Sequence, residues 1–305
     1  MSATEPGHRC GFVALVGRSN VGKSTLLNRL VGEKVAIVSA LPQTTRQRIL
    51  GVRTDQRGQI AFIDSPGYHK PHDRLGEMML ERAQGVAEEA DVILLMIDAS
   101  AGIGPGDVFV KDQLDPASRR APVVLAPNKI DLINKAKTLP MIDVAVNEWG
   151  CREAVPISAK DGLNCERLVD TLLGYLPEGP ALFPADYRTD QQERGLVAEI
   201  VREKLLAELR QEVPYAVAVA TDSLERREDD LVEIHATIFV ERESQKGIVI
   251  GSGGRMLKKV GAQARKELEQ RFGTQVFLEL WVKVRESWRD RSSLWRELGI
   301  WPDPG

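Results

Sequence analysis

A chain of 305 residues, 43% hydrophobic and 28% charged, has the composition of a soluble globular protein and the length of about two domains. No stretch reaches the roughly 18 apolar residues of a membrane span, residues 1–10 lack the basic start and apolar run of a secretory signal, and Cys10, Cys151 and Cys165 have neither metal-ligand nor redox spacing. A cytoplasmic monomer with reduced thiols is expected, and peripheral contact with a membrane face is left open. The net charge of −3 conceals twelve Lys/Arg against seven Asp/Glu between Glu241 and Arg291, which leaves the remainder at −8 and points weakly to a polyanionic partner for that region.

In chain order, FVALVG (12–17) reads as a buried strand, and KSTLLNRLVG (23–32) as a helix with Leu26, Leu27, Leu30 and Val31 on one face and Gly32 as its stop. QIAFIDSPG (59–67) is a strand running into a turn. A helix over 75–90, a strand over 91–99, a helix over 106–115 and a strand over 121–131 follow. A helix over 137–149, a short strand over 154–160 and a helix over 164–176 close the set. Strands separated by helices predict a mostly parallel, doubly wound α/β sheet. PEGPALFPAD (177–186) breaks the pattern with three prolines and a glycine. A first domain over 1–180, a linker over 181–190 and a second, smaller α+β domain over 191–305 are therefore expected. The second reads helix 191–211, strands 213–221 and 231–241, a glycine corner at 251–254, helix 255–272 and strand 275–284.

GRSNVGKS (17–24) matches G-x-x-x-x-G-K-S between a predicted strand and a predicted helix, the context that gives the pattern its meaning. Backbone N–H groups of Arg18, Ser19, Asn20, Val21, Ser24 and Thr25 and the helix dipole attract clustered phosphate charge, and Gly17 and Gly22 let the backbone come close. Lys23 would reach the β- and γ-phosphates and Ser24 would hold Mg²⁺. NKID (128–131) ends a predicted strand, where open α/β sheets place their ligands. Asp131 can accept the N1–H and exocyclic amine of guanine together, whereas adenine would leave it unpaired. Asn128 can bond the base's other edge, the Lys129 stem can lie over the ring, and Ser158, Ala159 and Lys160 can offer backbone N–H groups to the guanine oxygen. In DSPG (64–67), Asp64 would hold Mg²⁺ through water and the Gly67 N–H would sense the γ-phosphate. In LPQTTRQR (41–48), Thr45, with Thr44 as the alternative, would complete the metal's shell. Lys23, Thr45 and Gly67 are thus the candidate catalytic residues.

These motifs, G-R-S-N-V-G-K-S, Q-T-T-R, D-S-P-G, N-K-I-D and S-A-K, together resemble the Era family of GTPases, whose second domain is a type II KH domain. KGIVIGSGGRMLKKVG (246–261) is very similar to that domain's signature. The resemblance implies a P-loop G domain that hydrolyses GTP. It also implies binding to the 3′ end of small-subunit (16S-type) ribosomal RNA and a role in maturation of that subunit. Two departures bear on mechanism. Tyr68 stands where Ras-like proteins carry a water-orienting glutamine, implying slow intrinsic turnover. Asn20 is similar to an asparagine that coordinates K⁺ in some relatives.

G-S-G-G at 251–254 would admit a sugar-phosphate chain closely, with a helix N-terminus facing it. Gly251, Ser252, Gly253 and Gly254, with Lys246, Arg255, Lys258 and Lys259 as phosphate partners and Ile248, Ile250 and Leu257 as groove lining, form the candidate RNA site. ESWRDRSSLWRELGIW (286–301) has Trp288, Trp295, Leu298 and Trp301 at helix-compatible spacing and is expected to pack on the second domain. A different reading, an RNA-binding module with a degenerate nucleotide site, is opposed by the intact Lys23, Ser24, Asp64 and Asp131.

Overall fold

Continuous apolar strands force the first sheet to be covered on both faces, and the computed structural model, which describes residues 7–42, 44–118, 120–228, 230–298 and 300, shows how. The chain divides into one unit made of residues up to 190 and a second from 191 onward, with 73–75 grouping with the second. The first unit holds strands β1 (Arg9–Gly17), β2 (Ile49–Asp55), β3 (Gly58–Asp64), β4 (Val92–Asp98), β5 (Val123–Asn128) and β6 (Glu153–Ala154) in the order β2-β3-β1-β4-β5-β6. All neighbours are parallel except β2 and β3.

Successive side chains of β1 serve opposite faces. Val13 and Leu15 join Leu26, Leu27 and Leu30 of α1 (Lys23–Val31) and Leu168 and Leu172 of α5 (Cys165–Tyr175) in one core. Ala14 and Val16 join Ala83 and Val86 of α2 (Arg74–Glu89), Val110 and Leu114 of α3 (Pro105–Ser118), and Ala145 of α4 (Leu139–Asn147) in the other. α1 stops as expected, at Gly32 in the left-handed region with φ 86°.

Three differences from the sequence reading have physical causes. β2 has no counterpart among the predicted elements, because Gly51 interrupts its short apolar run. A Cβ there would lie 2.6 Å from Leu27, so α1 packs directly on the bare backbone. The strand expected over 154–160 shrinks to Glu153–Ala154: Val155 and Ile157 still donate to Leu125 O and Pro127 O of β5, and from Ser158 the chain turns away, with the Ser158 N–H on Leu163 O. The segment 181–190 docks onto the first unit. Fully buried Gln59 accepts the Leu182 and Phe183 N–H groups and donates to Phe183 O, Phe183 stacks on Tyr187, and Val52 donates to Arg188 O. A buried amide satisfied at both ends holds this proline-rich stretch in place.

The second unit carries α6 (Glu193–Glu208), β7 (Ala218–Arg226), β8 (Val232–Val240), α7 (Glu243–Ile250), α8 (Arg255–Phe272) and β9 (Val276–Val284). Its sheet runs β7-β8-β9, with β7 antiparallel and β9 parallel to β8. Leu196, Val201 and Leu205 of α6 and Val260, Ala264 and Leu268 of α8 pack on Ile234, Ala236 and Ile238 of β8. Pro214 turns Val213–Ala216 into a 3₁₀ turn where a strand was expected, so β7 starts at Ala218. The tail packs on this unit as expected, through 3₁₀ turns at Trp288–Asp290 and Ser292–Leu294 rather than one helix. Buried Trp288 donates through Nε1 to Ala216 O, and Trp295 donates through Nε1 to Trp288 O. Trp301 lies outside the described residues.

Candidate functional site

The phosphate loop leaves β1 at Gly17 and enters α1 at Lys23. Gly17 (φ 154°) and Gly22 (φ 104°) are required for different reasons: a Cβ at Gly17 would collide with Met96 O, and one at Gly22 would collide with the Asn128 amide. Ser19, Asn20, Gly22, Lys23, Ser24, Thr25, Thr44, Thr45 and Gly67 line one cavity with Ile37, Val38 and Ser39. Lys23 is buried, and its Nζ donates to Gly17 O at 3.1 Å and Arg18 O at 3.0 Å. Burial holds its ammonium below its usual pKa, with the Asp64 charge acting in the other direction.

The three residues expected to hold a metal converge. Ser24 Oγ donates to Asp64 Oδ2 at 2.6 Å, Thr45 Oγ1 lies 3.0 Å from Ser24 Oγ, and Thr45 Oγ1 donates to Asp64 Oδ2 at 3.5 Å. Thr44, the other alternative left open by the sequence, donates to Leu41 O at 2.7 Å. Gln43, beside them, lies outside the described residues. Asp64 is fully buried, burial raises its pKa against the pull of Lys23, and its Oδ1 has no hydrogen-bond partner among the described residues. An orphaned carboxylate oxygen beside two hydroxyls is an oxygen-only donor set that fits a hard cation such as Mg²⁺.

The base-reading residues arrange themselves less simply. Asn128 is buried and braces two loops: Nδ2 donates to Val21 O at 2.7 Å and Oδ1 accepts the Ala159 N–H at 2.9 Å. One amide hydrogen and one Oδ1 lone pair remain for a base. Two of the three N–H groups assigned to the guanine oxygen are spent inside the protein, Ala159 on Asn128 and Ser158 on Leu163 O at 3.1 Å. The Lys160 N–H has no partner among the described residues. Lys129 sits at φ 67° with Nζ on Asp98 Oδ2 at 2.6 Å, and Asp131 stands exposed in the turn Ile130–Leu132. Asn20 is exposed, and its amide donates to Ala40 O at 2.5 Å. Tyr68 turns away from the cavity; its buried hydroxyl donates to Ala83 O at 2.9 Å and burial raises its pKa.

Several residues here carry no sequence motif. Asn28 on α1 staples the loop above the cavity, accepting the Val35 and Ala36 N–H groups at 2.8 Å each and donating to Ala36 O. Asp107 fixes Arg18 at 2.7 Å. An asparagine inside a helix is the one signal the sequence offers.

In the second unit, GIVI belongs to α7, and GSGG joins α7 to α8 with Gly251, Gly253 and Gly254 all at positive φ. A Cβ at Gly251 would lie 2.8 Å from Met256, so position 251 tolerates only glycine. A groove opens between α8 and the edge strand β9, lined by Gly254, Leu257, Lys258, Gly261, Arg265 and Leu280. Ile248 on α7 is 48% exposed and lies outside that lining. Arg255 Nε donates to Ser252 O at 3.2 Å. Lys259 Nζ pairs with Glu208 on α6 at 2.6 Å and lies outside the groove lining. Arg265 joins the site without any signal in the sequence, because its place becomes visible only once β9 lies alongside α8.

Residues 12–129 match the family model described as 50S ribosome-binding GTPase, and 212–289 match that of the KH domain. The GTPase Era of Caldanaerobacter subterraneus subsp. tengcongensis is 49% identical over 293 residues, covering 96% of this chain and 98% of the relative. This chain belongs to the Era family of GTPases. The Era of Thermoanaerobacter sp. (strain X514) is 47% identical over 294 residues, covering 96% and 97%. Among solved structures, an Era in complex with MgGDPNP and nucleotides 1506–1542 of 16S ribosomal RNA superposes with a TM-score of 0.92 at 46% identity, covering 96% of this chain and 99% of that one. A point variant of the Aquifex aeolicus Era bound to GDP and AlF₄⁻ gives 0.91 at 45% identity, with the same coverage. The Era-family fold expected from the motifs, a G domain followed by a KH domain, is the one found.

Proposed function

We propose that this Era-family GTPase binds GTP with Mg²⁺ in the cavity around Lys23, hydrolyses it slowly, and uses the α8–β9 groove to grip the 3′ end of 16S-type ribosomal RNA during small-subunit maturation. The relative solved with both MgGDPNP and 16S nucleotides carries this reading, because its likeness extends over nearly the whole chain.

Lys23 would leave the Gly17 and Arg18 carbonyls for the β- and γ-phosphates. Ser24, Thr45 and Asp64 would hold Mg²⁺, which neutralises charge developing on the phosphates. The Gly67 backbone abuts the phosphate loop, where a Cβ would lie 2.9 Å from Ser19 N, and its N–H would register the γ-phosphate. Asp131 and the Lys160 N–H would read guanine. With Tyr68 hydrogen-bonded to α2, no side chain at that position orients the attacking water, which is why turnover is slow. Asn20 Oδ1 would hold K⁺ beside the phosphates, so turnover in K⁺ is expected to exceed that in Na⁺; equal rates in a phosphate-release assay would reject the potassium assignment. The protein would act as a monomer in the cytoplasm, with any membrane contact peripheral. No helix among the described residues is long and apolar enough to cross a membrane.

GTP would order residues 41–48 and 64–75 and so change access to the RNA groove. The test is anisotropy of a labelled RNA with the 16S 3′-terminal sequence, titrated with protein loaded with GDP or with a non-hydrolysable GTP analogue. Unequal affinities are expected. Equal ones would reject the switch, and no binding in either state would reject the RNA.

A further inference from the structure

Of the N–H groups first assigned to the guanine oxygen, the Lys160 N–H is the one still available, and the residue that aims it lies outside every motif. Arg29 sits in the last turn of α1, the helix that begins at Lys23. Its Nε donates to Ala159 O at 3.2 Å and its Nη2 donates to Lys160 O. We infer that Arg29 is a positioning residue for guanine recognition, acting through the peptide that joins Ala159 to Lys160.

The geometry follows from the planarity of the amide. Ala159 O and the Lys160 N–H belong to one trans peptide unit, and in such a unit C=O and N–H point in opposite directions within one plane. A guanidinium fixed on Ala159 O therefore fixes the direction of the Lys160 N–H. The charge of the donor also polarises that peptide and strengthens the N–H as a donor. The next peptide is pinned in the same way: Lys160 O takes the second arm of Arg29, and the Asp161 N–H donates to Ser158 Oγ at 3.2 Å. On the upstream side Asn128 holds the Ala159 N–H. The base-reading loop is thus gripped from β5 on one side and from the phosphate-loop helix on the other. No backbone donor meets Ala159 O or Lys160 O among the described residues, because the hydrogen bonds to β5 end at Ile157. Its planar two-armed donor spans two successive carbonyls, a match that one ammonium cannot reproduce in full.

This inference rests on the proposal that Lys160 reads guanine, and the experiment separates the two. Affinities of GDP and of the diphosphate of 2-aminopurine riboside, which lacks the O6 acceptor and with it the N1–H read by Asp131, are measured by calorimetry for the parent protein, Arg29→Ala and Arg29→Lys, so that the Arg29 effect is read as the difference between the two nucleotides. GDP binding is expected to weaken about threefold to tenfold in Arg29→Ala, the scale of one hydrogen bond, while the analogue changes less than about twofold. Arg29→Lys, which keeps one arm, should fall between. Equal losses for both nucleotides would mean that Arg29 merely supports the fold, and no loss for either would mean that it does nothing at the site; both overturn the inference. If the parent protein itself fails to prefer GDP over the analogue, the guanine reading by Asp131 and Lys160 falls first. Thermal unfolding of each variant reports whether the fold is retained.

Discussion

Lys23→Ala is expected to weaken GTP binding by about two to three orders of magnitude, the range for truncating one partner of a buried hydrogen-bonded charge pair. The buried ammonium has two jobs. Without ligand it satisfies the Gly17 and Arg18 carbonyls, which would otherwise face a water-poor pocket, and with GTP it would transfer to the phosphates. Alanine removes both, so the loop loses its internal brace as well as its hold on the phosphates. A second consequence follows for Asp64. Its pKa is already raised by burial and is held down chiefly by the charge of Lys23. Removing that charge raises it further. A carboxyl whose folded pKa lies above its unfolded value binds protons more readily in the folded state, so the ligand-free variant gains stability as pH falls through that range. Its melting temperature should therefore rise more steeply than the parent's as pH is lowered, while Mg²⁺ and GTP no longer raise it. Retention of GTP binding within about tenfold, measured by calorimetry, would show that the phosphates are held some other way.

How much of the site is legible in the sequence depends on where the information lies. The phosphate loop is local: strand, eight residues, helix, and the structure reproduces its boundaries at Gly17 and Lys23. Ser24, Thr45 and Asp64 are each readable from the motifs, but the different hydroxyl partners of Thr45 and Thr44 appear only in the folded chain. Asn128 is recognisable as a motif residue but not by its partners, because spacing cannot show that its amide bonds Val21 and Ala159. Arg29 and Asn28 look like two polar positions on an amphipathic helix, and their roles depend on loops that return to α1 from over 100 residues away in one case and about seven in the other. Gln59 illustrates the same limit in the fold: a polar residue in a strand reads as a solvent-facing position, yet it is fully buried because residues 182 and 183 bring it the backbone groups it needs. In the second unit the glycine corner is local and legible. The groove beside it is not, because one of its walls is β9, over 20 residues further along the chain.

Ser252→Asp combined with Gly253→Asp is expected to lower affinity for the 16S 3′-terminal RNA by about two orders of magnitude, since like charges set against each other at an interface cost several kcal/mol. The positions are chosen so that the fold survives. Gly251 is left alone because its Cβ would strike Met256, whereas nothing lies within 4 Å of a Cβ at Gly253, and aspartate tolerates its left-handed backbone at φ 62° better than most residues. New carboxylates just before Arg255 also lie at the N-terminus of α8, where a helix favours negative charge. The same field that would draw an RNA phosphate to this turn therefore accommodates the aspartates, which then occupy the phosphate's place. Two consequences distinguish this from general damage. GTP hydrolysis in the absence of RNA stays at the parent rate, and the dependence of RNA affinity on salt becomes shallower by about 0.7 in logarithmic slope for each phosphate the variant no longer neutralises. Single substitutions refine the map of the cations. Lys258→Ala, in the groove lining, should weaken binding several-fold, while Lys259→Ala, whose ammonium is paired with Glu208, should change it less than about twofold. An RNA affinity untouched by the double aspartate variant would remove the GSGG turn from the RNA site, and a larger loss from Lys259 than from Lys258 would put the phosphates on the α6 side of the helix.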